Sequence, residues 1–145
     1  MSTLTKVLLG SGSVLTLLLL VGLFSVVGIN NDCVQQESGL SQQHKNNQNK
    51  YESFVKYIQE MAQVPAMYRD DLKAVTLAAI SGRYGKDGSK AVFQFIKEHN
   101  PNFDSSLYLK IQEAIQSGRI SFAADQTTLL DKKRVYENTL KIFPT

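Results

Sequence analysis

Residues 7–29 read VLLGSGSVLTLLLLVGLFSVVGI, 23 positions without an ionisable side chain. At 1.5 Å per residue such a stretch makes a helix of about 34 Å, slightly longer than the ~30 Å hydrocarbon core of a bilayer, so it can span with some tilt. Lipid offers no partner to a backbone N–H or C=O, which leaves helix as the state open to an apolar run of this length. Glycines at positions 10, 12, 22 and 28 are of a kind common in membrane helices, and their spacing forms no GxxxG pair. The competing reading is a cleaved signal peptide, with Lys6 as its positive flank and Val26-Val27-Gly28 as small residues near a cut. The run exceeds the usual ~7–15-residue apolar region and no A-x-A pattern follows it, so an uncleaved transmembrane helix over 7–29, behind a short tail over 1–6, is expected. Lys6 and the amino terminus flank one end and Asp32 and Glu37 the other. The positive-inside bias then puts the N-terminus in the cytoplasm and the C-terminal part outside.

The remaining residues make one small domain, too few for two. Of sixteen basic residues only Lys6 precedes Asn30, and the others are balanced by thirteen acidic ones without a basic block, so no nucleic-acid partner is expected. Cys33 is the single cysteine, which excludes an intramolecular disulfide and a cysteine metal cluster. The polar lead-in Asn30-Asn31-Asp32 argues against lipidation there.

From Asn30 to Lys50, ten of 21 residues are Asn or Gln. This segment is either a disordered polar stalk or the start of a helix continuing from the membrane into the domain. Helical periodicity then runs through Tyr51, Phe54, Val55, Ile58, Met61 and Ala62 until Pro65. A second stripe comprises Tyr68, Leu72, Val75 and Ala79, with Asp70 and Asp71 near its start, and three glycines between Ser81 and Gly88 stop it. A short helix over 89–98 presents Val92, Phe95 and Ile96. Asp104, Ser105 or Ser106 caps the last helix, whose stripe is Tyr108, Ile111, Ile115, Phe122, Leu129, Tyr136, Leu140 and Phe143. Phe122, Leu129, Tyr136 and Phe143 repeat every seven residues, as in a helix packed along a neighbour, and Gly118 is a possible interruption. No period-two strand pattern occurs. The expected fold is therefore all-α: the membrane helix, then rods over 31–64, 66–98 (with its break) and 104–142 in an antiparallel bundle of three to four long helices, with the domain proper over 51–145.

No chemistry assembles from the motifs. Residues 82–90, GRYGKDGSK, resemble a phosphate-binding loop, but Gly85-Lys86 is followed by Asp87 and a helix precedes, so a solvated turn is expected. His44 and His99 lack a ligand partner at i+3 or i+4, which argues against zinc; His99 is placed to cap a helix end. Asp70 and Asp71 point about 100° apart and cannot act as a facing pair. Lys132, Lys133, Arg134 and Lys141 form the densest basic cluster, read as a solvated face, with an acidic partner or anionic headgroups as the alternative. Cys33 has no His or Lys within ten residues to activate it. No catalytic, cofactor-binding or metal-ligating residue is assigned, and no cofactor is expected.

The segments Asn100-Pro101-Asn102-Phe103, Leu107-Tyr108-Leu109-Lys110-Ile111-Gln112-Glu113-Ala114-Ile115, Ile120-Ser121-Phe122-Ala123-Ala124 and Tyr136-Glu137-Asn138-Thr139-Leu140-Lys141-Ile142-Phe143-Pro144 resemble the end of LemA-family proteins. There a proline loop leads to an F-x-x-L-Q-x-x-L helix, an I-A-x-A-R turn and a Y-N-x-x-I-x-x-F-P finish. About 45 residues share the pattern, and the rest agrees only in layout. The family's basic and D-L-I-P-N-L stretch has no counterpart around residues 50–61, and the chain is shorter than typical members. The resemblance implies a membrane-anchored helical bundle and brings no activity or catalytic residues with it. The expected function is a non-enzymatic interaction or scaffold module, bound to the membrane through 7–29 and joined by a protein partner or a second copy. The alternatives are a small membrane-active protein acting by oligomerisation and an enzyme whose site is not legible in sequence.

Overall fold

The computed structural model describes residues 3–142, and the side chains of residues 12–141. Four α-helices follow one another: α1 Thr3–Ala62, α2 Arg69–Ile80, α3 Gly88–His99 and α4 Tyr108–Ile142. Short 3-10 turns lie over Ala66–Tyr68, Gly85–Asp87 and Ser105–Leu107, and no strand occurs among the described residues. The fold is all-α. Residues 30–50 are helical throughout, as part of α1. Contacts divide the chain into two units, Met1–Leu40 with Lys132–Thr145, and Ser41–Asp131.

The Ser41–Asp131 unit holds a core of Ile58, Ala62, Val64, Leu72, Ala79, Ile80, Val92, Ile96, Ile111 and Ile115. The stripes expected on each helix supply all of these residues except Val64 and Ile80, with Phe54, Phe95 and Phe122 packed half-buried around them. Within this unit α1 and α4 run antiparallel, since Asn47 meets Asp125 while Phe54 faces Gly118 further along. Gly118 does not interrupt α4. A Cβ built there would lie 2.8 Å from Ile80 Cγ2 and 2.8 Å from Phe54 Cζ, so the glycine permits a close approach.

The second rod expected over 66–98 breaks at its three glycines into two 12-residue helices, α2 and α3, which pack on one another. The turn between them needs left-handed backbone at Gly82 (φ 85°) and Gly85 (φ 53°), conformations that cost glycine little. Gly88 also lies against Ala79, whose carbonyl oxygen would be 3.1 Å from an added Cβ.

Local caps explain where the helices stop. Gln63 at φ 51° ends α1, with Val64 N donating to Gln59 O at 3.2 Å and Gln63 N to Glu60 O at 3.3 Å, the Schellman pattern that closes terminal carbonyls. Asn100 Nδ2 donates to the Ala62 carbonyl at 3.0 Å, and Pro65 prevents continuation. Asp104 is the residue that caps the last helical segment, accepting from Ser106 N at 2.8 Å. Its carboxyl lies below its ordinary value, chiefly through the Ser106 hydroxyl.

In the other unit, the Thr139 hydroxyl donates to Gln36 Oε1 at 2.9 Å and Lys132 Nζ lies 4.0 Å from the position of a Gly39 Cβ, again an antiparallel pairing of α1 with α4. Leu129 and Tyr136 are half-buried in their respective units, in keeping with the seven-residue repeat. Leu140, placed on the same stripe, is 50% exposed, because it stands four residues past Tyr136 rather than three and so turns off the seam that Thr139 occupies. Phe143 and Pro144 lie outside the described residues.

Thr76 is fully buried and its hydroxyl has no hydrogen-bond partner among the described residues. A hydroxyl desolvated without compensation is a cost that a methyl of the same shape avoids. Thr76→Val should therefore raise stability by about 1 kcal/mol, read as a later denaturation midpoint; an unchanged or earlier midpoint would show that the hydroxyl is satisfied in solution.

Candidate functional site

Three local arrangements stand out: the apolar stretch of α1, a polar layer between α1 and α4, and the turn that Arg119 reaches.

From Val14 to Val27 the apolar stretch is exposed on every side. Val14, Leu15, Leu17, Leu18, Leu19 and Leu20 are all at least 46% exposed, as are Val21, Leu23, Phe24, Val26 and Val27 further along. The most apolar window averages a mean hydropathy of 2.4 with none of it buried, and α1 is long and apolar enough to cross a membrane. Two of its polar side chains are satisfied within the helix: the Thr16 hydroxyl donates to Gly12 O and the Ser25 hydroxyl to Val21 O, both at 2.9 Å. Such i−4 bonding lets a hydroxyl sit in an apolar medium without an orphaned donor.

The polar layer lies in the Ser41–Asp131 unit. Asn47, 3% exposed, accepts from Gln43 Nε2 at 2.9 Å and donates through Nδ2 to the Asp125 main-chain oxygen at 3.4 Å. The Asp125 carboxylate accepts from Lys50 Nζ at 3.0 Å and from the Tyr51 hydroxyl at 3.4 Å. Burial, then the nearby Asp125 charge, raises the Tyr51 phenol above its ordinary 10.0. A buried amide in a helix seam fixes which residues face each other, because any slip leaves it unpaired. Sequence reading passed over this layer; the spacing that reveals it is seven residues from Asn47 to Phe54 on α1 and three from Phe122 to Asp125 on α4.

On the other side of α1, Glu52 is bound by Lys73 and by Arg69, the latter at 3.4 Å. The Lys73 hydrogen bond is the main cause holding the Glu52 carboxyl below its ordinary 4.5. A lowered carboxylate supplies stability above its unfolded value that is lost as pH falls through its folded one; a raised phenol supplies stability below its unfolded value that is lost as pH rises. The melting temperature of the full chain should accordingly fall at acid pH, below 4.5, and at alkaline pH, above 10.0. Glu52→Gln should flatten the acid limb and Tyr51→Phe the alkaline one; limbs unchanged in both variants would remove these groups as the cause.

At the α2–α3 turn, Arg119 donates through Nε to Ala79 O at 2.9 Å and through Nη2 to Gly85 O. An arginine of α4 therefore secures the end of α2 and the glycine turn.

The residues weighed in sequence do not converge. Asp70 and Asp71 are exposed in the first turn of α2, and His44 is exposed on α1. His99 Nδ1 lies 2.8 Å from Phe95 O and its ring stacks on Phe95 with centroids 4.2 Å apart, a helix-end role. Among the described residues no group of three His, Cys, Asp or Glu could hold a metal. Lys133 pairs with Glu137 at 3.6 Å, and Cys33 is half-buried. Comparison with protein-family models, with curated proteins and with solved structures yields no match to this chain.

Proposed function

We propose that this protein is a single-pass, membrane-anchored, LemA-like helical-bundle protein that works as a non-enzymatic interaction or scaffold module, with its N-terminus cytoplasmic and its bundle outside. The observation that supports it most is the run of apolar side chains from Val14 to Val27, exposed all round the helix with its hydroxyls internally bonded. In water such a surface would aggregate, whereas in lipid it is matched to its solvent. Lys6 before this run and Asp32 and Glu37 after it support the orientation. The LemA-like pattern over residues 100–115 and 120–124 supports the family reading, and that reading brings no reaction with it.

The test is alkaline carbonate washing of membranes containing the full chain, followed by intact mass and by crosslinked affinity capture. Retention in the pellet with residues 1–29 present, together with one partner or a second copy recovered in fixed proportion, is the expected result. Release with a new terminus near Ile29 would overturn the anchor, and recovery of nothing above background would overturn the scaffold reading.

A further inference from the structure

Beside the α2–α3 turn, within the Ser41–Asp131 unit, lies an open cavity of about 220 Å³ lined by Lys86, Ser89, Gln112, Ile115, Gln116 and Arg119. Five of its six lining side chains can donate a hydrogen bond, two are cationic and none is acidic. Lys86 has no acidic partner among the described residues, and Arg119 is held by two main-chain carbonyls rather than by a carboxylate. Two positive charges thus share one concave surface without an anion to balance them. Such an arrangement focuses field on a negative ligand.

We propose that this cavity binds a phosphate monoester carrying an apolar substituent. The donors surround the cavity from three elements: Lys86 from the turn, Ser89 from α3, and Gln112, Gln116 and Arg119 from α4. A carboxylate has two oxygens and would be satisfied by the guanidinium alone, while donors spread on several sides suit the tetrahedral set of phosphate oxygens. Arg119 is fixed in advance, since its Nε and one Nη2 hydrogen are committed to Ala79 O and Gly85 O, leaving three N–H groups for the ligand. A second hollow of about 550 Å³ shares Lys86 and Arg119 and is lined on its far side by Ile80, Phe122 and Ala123. The phosphate end has polar walls, and the next surface along is apolar. The donors here are side chains from three elements and not the backbone N–H cradle of a Walker loop, so the failure of residues 82–90 to match that loop is immaterial.

The test uses the full chain in neutral detergent, titrated with phenyl phosphate and, separately, with benzoate, while the Arg119 Nε resonance is followed. A parallel arm places the chain in nanodiscs with and without phosphatidic acid. Phenyl phosphate should bind saturably and at least tenfold more tightly than benzoate, with the Arg119 resonance shifting. Lys86→Glu, at an exposed position, should weaken binding at least tenfold without lowering the melting temperature, and Gln112→Glu should do the same. Response to phenyl phosphate supports a soluble ester as the source. Response to phosphatidic acid alone supports a lipid headgroup. No saturable binding in either arm, equal binding of benzoate, or affinity indifferent to Lys86→Glu would overturn the proposal. The phenyl phosphate arm does not depend on whether residues 7–29 are retained.

Discussion

Gly118→Leu is expected to cost several kcal/mol and to leave the bundle largely unfolded near room temperature. Even the first added carbon would stand 2.8 Å from both Phe54 Cζ and Ile80 Cγ2, which belong to different helices. The phenyl tip can swing aside, but the Ile80 methyl is attached at a branched Cβ within the core and moves only if α2 moves with it. Alanine isolates the balance. It gains about 1 kcal/mol of helix propensity over glycine and loses about 1–3 kcal/mol to overpacking, so Gly118→Ala should be mildly destabilised. Leucine adds three further carbons to the same gap with no further gain in propensity. Against a total of about 5–15 kcal/mol, the loss is large. Circular dichroism melts of the two variants and the parent in one detergent would check the order, and a leucine variant as stable as the parent would mean that α1, α2 and α4 do not meet at this residue.

Gly118 also marks where sequence reading reached its limit. The stripes Phe54, Ile58, Leu72, Val92, Ile96, Ile111 and Ile115 were legible because burial on one helix face imposes a 3.6-residue period whatever the partner. A glycine inside a helical pattern is ambiguous by contrast: it reads as a weak point unless the neighbouring helix is known, and Phe54 lies 64 positions away in the chain. Asn47 was hidden for a related reason. Among the ten Asn and Gln residues of 30–50 its composition is unremarkable, and only its register opposite Asp125 makes it buried. The stop at Pro65 and the glycine break between residues 81 and 88 were legible, whereas the packing of α2 on α3 was not, because it depends on the left-handed backbone at Gly82 and Gly85 and on Arg119 reaching across from α4. The cavity beside that turn takes Lys86 and Ser89 from the stretch 82–90, which sequence reads as a solvated turn, and its remaining lining from α4, where no motif marks it.

The double substitution Leu18→Arg with Val21→Arg should move the protein from the carbonate-resistant pellet to the supernatant or prevent its insertion. The apolar stretch contains fifteen Leu, Ile, Val and Phe residues, each contributing about −0.3 to −0.6 kcal/mol to insertion near the helix centre. Their sum is about −4 to −9 kcal/mol, before the smaller costs of the Gly, Ser and Thr residues among them. An arginine near the middle of a span costs about 2.5–3.5 kcal/mol on the same scale, so two consume most or all of that gain and also remove two favourable side chains. Both parent residues are more than half exposed, at 63% and 57%, so the substitutions disturb no packing inside the protein. Leu18→Ile with Val21→Leu keeps the apolar character and should stay in the pellet. Snorkelling toward a headgroup region is blocked for both arginines together, because residues 18 and 21 sit about 16 Å and 12 Å along the helix from the two ends of the run 7–29. Pelleting of the arginine variant at the parent's level would mean that something other than this helix holds the protein at the membrane.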